Sequence, residues 1–168
     1  MVSYNTDYKK IADIREELHD SRRMLDDVLD HVGDRWESSV YSEGAAWNVH
    51  QLLLHLAITG EAHNNMAMGY ANGIEVVPPD FDLERYNRRS VEKKAEMTPQ
   101  QARESLNQSR AALLAWLDTV TDESVFEKTG RHGSMNIFTV RQILRVLAQH
   151  EKNHGLDIAR MLGIQVAL

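Results

Sequence analysis

Between Val140 and Met161 the apolar residues recur at the spacing of one helix face, and two histidines stand on or beside that face. At 3.6 residues per turn Val140, Leu144, Leu147, His154, Ile158 and Met161 line up, with His150 on one flank and Glu151 on the other. A helix that buries this stripe must bury two imidazoles with it. A buried imidazole whose ring nitrogens lack partners costs free energy, so the neighbouring elements have to satisfy it. A pair of hydrogen-bonded core histidines is one solution. A metal ion is another, because histidines four residues apart present neighbouring ring nitrogens on one helix face.

His150, Glu151 and His154 also match the short zinc-protease pattern, in which the glutamate is general base. Such proteases draw a third ligand from downstream, and no His or Glu follows His154. The match is read as accidental, and the third ligand is expected upstream.

The chain before this helix divides into further helical segments. From about Thr6 to Trp36, Ile11, Ile14, Leu18, Leu25, Val28, Leu29 and Val32 form one stripe, which predicts a long amphipathic helix. Glu16-x-x-His19 here and Glu151-x-x-His154 later invite a carboxylate di-iron reading. Glu16 and His19 fall off the apolar face, however, and are expected at the surface, as is His31. After a loop rich in Ser and Gly, Asn48 with Gln51 has the capping-box spacing, and Leu52 to Leu56 is apolar on nearly every side. His55 lies in this buried turn and is the natural third ligand. His63 and Glu61 are weaker candidates further along, and His50 is expected near the surface.

Gly73 and Pro78-Pro79 interrupt the pattern, and Phe81 to Met97 reads as a polar crossover helix. Thr98-Pro99-Gln100-Gln101 and Thr139-Val140-Arg141-Gln142 are two more capping boxes, each opening a core helix. No β-hairpin, internal repeat or low-complexity tract is expected. The fold class is therefore all-α, a four-helix bundle with a long crossover carrying an extra short helix, in a single domain over residues 1–168. Bundles build metal sites from side chains on facing helices.

Composition narrows the function classes. A formal charge of −6 with scattered basic doublets argues against nucleic acid as a partner. No run approaches a membrane span, and the residues after Met1 lack a signal peptide's apolar core, so no membrane partner and a cytoplasmic location are expected. Zero cysteines exclude disulfides, a thiolate metal site and a cysteine nucleophile, so any thiol chemistry needs a thiol brought in from outside.

Trp47 followed after seven residues by His55-Leu56 resembles one signature of the DinB-like metal-binding four-helix bundles. Thr139 to Leu144 running into His150-Glu151-x-x-His154-x-x-Asp157-Ile158 resembles the other. Arg131-His132-Gly133-Ser134 and Phe81 to Asn87 are also similar to members of that family. The resemblance makes His55, His150 and His154 the metal ligands. Many members carry glutamine where this chain has Asp157, and several carry a second histidine where Asn153 stands.

The resemblance further implies a divalent ion, with zinc or nickel favoured and iron or manganese allowed by ligand type. It implies a metal-dependent transferase or isomerase using a low-molecular-weight thiol such as bacillithiol, mycothiol or glutathione and a small electrophile, with a homodimer as a candidate assembly. Glu151 and Asp157 are the candidates to orient a ligand histidine or take up a proton, orientation being favoured. A non-catalytic metal-binding or stress-related protein and a metal-dependent hydrolase are the alternatives, and haem binding is a distant third.

Overall fold

The computed structural model describes residues 4–166. Its long helices are α1 (Ile11–Asp30), α2 (Val49–Ala71), α4 (Pro99–Thr119) and α5 (Val140–Leu162), with a short α3 (Leu83–Lys93) in the crossover. The three expected capping boxes are all formed: Asn48 with Gln51 at α2, Thr98 with Gln101 at α4 and Thr139 with Gln142 at α5. Each satisfies two backbone N–H groups that a helix start would otherwise leave without partners. Gly163 closes α5 in the left-handed conformation that suits a residue without Cβ.

Helix directions follow from which residues meet. Glu17 reaches Arg145 and Arg22 reaches Glu151, so α1 and α5 run parallel. Gly60 lies against Leu106 and Asn64 bonds the Ser109 carbonyl, so α2 and α4 also run parallel. His55 faces both His150 and His154 while His63 faces His150, which sets α2 antiparallel to α5. Two consecutive core helices pointing the same way require a return connection, and residues 72–98 with α3 supply it.

Apolar packing joins α1 to α5, α5 to α2 and α2 to α4. The fourth side differs. There α1 and α4 are bridged by arginines: Arg15 to Asp118, Arg22 to the Leu106 carbonyl, Arg103 to Asp26 and Asp30, and Arg110 to the Leu18 carbonyl.

Two apolar layers fill the bundle, one around Ile14, Leu18, Leu113, Phe126 and Leu144, the other around Leu25, Leu52, Leu53, Leu106 and Ile158. Between them lies a buried polar layer containing Arg22, His55, Thr59, His63, Arg110, His150 and Glu151. The candidate site belongs to this layer.

Three expectations need correction. The first helix begins at Ile11 rather than Thr6 and ends at Asp30, short of a left-handed Gly33 and a single 3-10 turn at Arg35–Glu37. The crossover helix covers Leu83–Lys93, not Phe81 to Met97. A hairpin is present after all: β1 (Thr129–Arg131) pairs antiparallel with β2 (Ile137–Thr139), Gly130 opposite Phe138. Strands of three residues leave no readable alternation, and Gly130 reads as loop. It is glycine because the Tyr70 ring lies against it, and a Cβ there would approach that ring to 2.3 Å. Among the described residues no helix is long and apolar enough to cross a membrane.

Candidate metal centre

Helix α2 contributes His55 and α5 contributes His150 and His154, and the three rings meet in the polar layer. His150 Nε2 lies 3.1 Å from His55 Nε2 and 3.1 Å from His154 Nε2. One ligand nitrogen from each residue falls within 4.8 Å of the others. Tetrahedral zinc with imidazole ligands separates its nitrogens by roughly 3.3 Å, given bonds of about 2.0–2.1 Å. The observed contacts are close to that spacing.

Hydrogen bonding alone does not satisfy this arrangement. A ring nitrogen carries either one lone pair or one hydrogen, so His150 Nε2 takes part in one N–H···N bond at most. It has two imidazole neighbours at bonding distance. Protonation offers no way out near neutral pH, because burial lowers the pKa of His55 to about 3, of His154 to about 4 and of His150 well below the usual value. Three neutral imidazoles with converging lone pairs are the donor set a divalent cation takes. The residues therefore fit a metal ion.

One ligand has a built orienting partner. Tyr41 O–H donates to Asp157 Oδ2 at 2.6 Å, and the Tyr41 oxygen lies 2.8 Å from His154 Nδ1. With the tyrosine hydrogen committed to Asp157, His154 Nδ1–H is the donor and its Nε2 lone pair is left facing the centre. Burial, and then the Asp157 carboxylate, raise the pKa of the Tyr41 phenol, which keeps it a hydrogen-bond donor. The Tyr41 loop is itself fixed, since Val40 and Tyr41 N–H groups both bond the Trp47 carbonyl. The Trp47 ring packs on His55 at 4.6 Å between centroids. The Nδ1 atoms of His55 and His150 are buried without a protein partner.

Asp157 thus acts on His154 through Tyr41, not directly. Glu151 does not take the role expected of it. Its side chain is 1% exposed and turned away from the ligand histidines, with Oε1 accepting from Arg22 at 2.6 Å and Oε2 from Arg110 at 2.9 Å. Glu151 sits on the opposite flank of the α5 stripe from His150, and that flank faces the α1–α4 seam where the two guanidiniums converge.

His63 pairs with a residue that sequence reasoning left in a loop. His63 Nε2 lies 3.1 Å from His132 Nε2, and both residues are buried. Here every nitrogen is accounted for. Ser134 N–H donates to His132 Nδ1, so the His132 hydrogen is on Nε2 and points at His63. His63 Nδ1–H in turn donates to the Thr59 carbonyl at 2.7 Å. This pair is complete as two neutral rings, whereas the three-histidine group is not. Burial lowers the pKa of both, that of His132 to about 3.

The remaining candidates stand apart from the centre. His19 and His31 are exposed, as expected, and His50 is half-buried with Nε2 on the Met97 carbonyl. Glu16 is exposed on α1, as expected, and Glu61 is exposed on α2. Tyr41 was missed because it lies in a loop without periodicity. His132 was noted only for its loop, with nothing local to mark its partner.

The sequence profile of the DinB superfamily matches residues 17–158. A search of curated proteins found no match. Among solved structures, YfiT from Bacillus subtilis, described as a probable metal-dependent hydrolase with an unusual four-helix bundle topology, is similar with a TM-score of 0.74 at 17% identity. That likeness covers 98% of this chain and 95% of that one. The mycothiol-dependent maleylpyruvate isomerase gives a TM-score of 0.67 at 17% identity over 90% of this chain, as does a mutant of it. This chain spans 63% of the isomerase's length. Identities this low carry the fold.

Proposed function

The chain belongs to the DinB superfamily, and on that premise we propose that it is a divalent-metal-dependent enzyme acting on a low-molecular-weight thiol. His55, His150 and His154 hold the ion. The observation that carries this reading is His150 Nε2 with two imidazole nitrogens at 3.1 Å, an arrangement a cation satisfies and hydrogen bonds do not. Three neutral ligands leave the full dipositive charge on the ion, which when bound acts as a Lewis acid that lowers the pKa of a coordinated thiol or water. Zinc or nickel suits the imidazole set, and iron or manganese is compatible with it.

The protein's own groups favour a thiol over water. Glu151 is committed to two arginines and Asp157 to Tyr41, so neither carboxylate stands free to take a proton from water. A thiol, with an ordinary pKa of about 8.5, needs less assistance near neutrality. The chain has no cysteine, so the thiol comes from solution. Cytoplasmic residence belongs to the same reading, because small thiols are held reduced there. The fold's likeness to the mycothiol-dependent isomerase supports the substrate class. A hydrolytic role is the second reading, favoured by the likeness to the probable hydrolase over 98% of this chain and 95% of that one.

The test is a screen of zinc- and nickel-loaded protein with bacillithiol, mycothiol, glutathione and coenzyme A against monobromobimane or chlorodinitrobenzene. Metal-dependent turnover with one of these thiols, lost in His55→Ala, is the expected result. A metal-loaded protein that accelerates no thiol but cleaves activated esters moves the assignment to the hydrolase. A protein that retains no divalent metal overturns both.

A further inference from the structure

Among the described residues, His154 alone of the three metal-centre histidines has a hydrogen bond behind its coordinating nitrogen. Tyr41 holds that ring through Nδ1, whereas His150 Nδ1 is buried with no protein partner. The terminal torsion of a histidine side chain is broad, so an imidazole whose far nitrogen is unbonded is held by what its ring packs against. Three described rings lie against His150. His55 and His154 meet it in edge-on arrangements and are themselves ligands. The third is His63, with 5.9 Å between centroids and planes 35° apart, inside the range of packed aromatic pairs.

His63 is itself fixed at both ring nitrogens. Its Nδ1–H donates to the Thr59 carbonyl at 2.7 Å, and its Nε2 lies 3.1 Å from His132 Nε2, which carries the hydrogen between them. Two bonds in the plane of one ring set that plane, and an apolar side chain of similar bulk would fill the space without setting it. The donor is held in turn. Ser134 N–H donates to His132 Nδ1, His132 N–H to the Asn136 carbonyl and Met135 N–H to the His132 carbonyl, so the tip of the hairpin closes around this imidazole. Tyr70 stands two helical turns beyond His63 on the same face of α2, and its O–H donates to the Arg131 carbonyl. Consecutive hairpin residues, Arg131 and His132, therefore bond two residues of one α2 stripe.

We infer that His63 is a positioning residue for the ligand His150 and that His132 acts through it, so that the β1–β2 hairpin sets the aim of one metal ligand. This rests on the metal-enzyme reading above and deepens it by naming what orients His150, as Tyr41 orients His154. It also gives the hairpin a task. Two strands of three residues have little stability of their own; here their bonds run to α2, and what those bonds fix is an imidazole directly behind the centre. His63 and His132 hold no metal in this arrangement, because each Nε2 is committed to the other.

The test uses the full chain with His132→Asn, His132→Gln, His63→Leu and the double variant of His63→Leu with His132→Asn. A glutamine amide places an N–H near the position of the imidazole Nε2, and the shorter asparagine does not. In metal-free protein, long-range proton–nitrogen correlation spectra report the tautomer of each histidine and whether the His150 ring holds one orientation. In loaded protein, chelator competition reports zinc affinity and the visible bands of the cobalt form report ligand geometry. The parent protein is expected to show His63 with hydrogen on Nδ1, His132 with hydrogen on Nε2 and one set of His150 signals. His132→Asn and His63→Leu are expected to broaden or split the His150 signals, shift the cobalt bands and weaken zinc binding about tenfold, the lower end of the loss when a partner behind a metal ligand is removed. The double variant binds zinc no more weakly than the weaker single one, since the two residues act in series, and His132→Gln behaves as the parent. Unchanged His150 signals and zinc affinity in both single variants, with a lowered melting temperature alone, overturn the inference, as does a double-variant loss equal to the two single losses combined. Should His63→Leu fail to fold, His132→Asn set against His132→Gln decides. A parent protein that takes up no zinc refutes the metal reading instead, and the His150 signals of the metal-free variants still decide the positioning.

Discussion

Glu151→Gln separates a structural carboxylate from a catalytic one. Glu151 is 1% exposed and accepts from Arg22 and Arg110, whose side chains are 11% and 8% exposed. The amide has the same size and keeps one acceptor oxygen, so no cavity opens. What is lost is the negative charge between two buried guanidiniums. Removing one member of a buried ion pair costs about 3–5 kcal/mol because the remaining charge is left uncompensated. The retained acceptor puts this variant near the lower end, at about 3 kcal/mol. That is a large share of a total stability of about 5–15 kcal/mol. For a chain of this size it lowers the melting temperature by roughly 6–12 °C. Urea unfolding of metal-free protein, followed by far-ultraviolet circular dichroism, measures it. The triple variant Glu151→Leu, Arg22→Met, Arg110→Met should recover most of the loss, since apolar replacement of a buried ion cluster is often neutral or better. A loss below about 1 kcal/mol for Glu151→Gln, or a triple variant less stable than the single one, refutes the reasoning. The protease-like reading predicts the opposite: stability kept and activity gone.

Tyr41→Phe removes the oxygen that accepts from His154 Nδ1 and should weaken zinc binding roughly 10–100-fold in competition with a chelator, with little change in melting temperature; unchanged affinity excludes Tyr41 from orienting the ligand. Gly130→Ala places a Cβ within 2.3 Å of the Tyr70 ring and should cost about 1–3 kcal/mol, read by thermal unfolding; an unchanged midpoint means the hairpin is not seated on Tyr70. His132, whose folded pKa is lowered to about 3 by burial, supplies a pH dependence. Above pH 6.5 both folded and unfolded states hold it neutral. As pH falls below 6.5 the unfolded chain takes up a proton that the folded protein refuses, so stability declines until the pH reaches the folded pKa. Between pH 7.5 and 5 this one histidine removes on the order of 2 kcal/mol. His132→Asn should flatten the urea-denaturation profile over that window by the same amount, and an equally steep profile refutes the assignment.

What the sequence disclosed follows the range of the forces involved. Helix starts at Asn48, Thr98 and Thr139 were readable because a capping box is complete within four residues. His55, His150 and His154 were readable because burial imposes the helical period on them. Long-range pairing was not. Glu151 meets Arg22 across 129 positions and Arg110 across 41, and nothing near it signals two arginines instead of an imidazole. Tyr41 and His132 lie on loops, where no period distinguishes an inward side chain from an outward one. The hairpin escaped because its strands are three residues long and its glycine answers to a tyrosine on another element.

The central claim is that one ion sits among His55, His150 and His154. A crystal of zinc-loaded protein, with anomalous differences collected on either side of the zinc edge, tests it directly. The expected result is a single peak at about 2.0–2.1 Å from the Nε2 atoms of all three histidines, absent in His150→Ala crystals grown the same way. Density at the His63–His132 pair instead, or no peak in the polar layer at saturating zinc, contradicts the account.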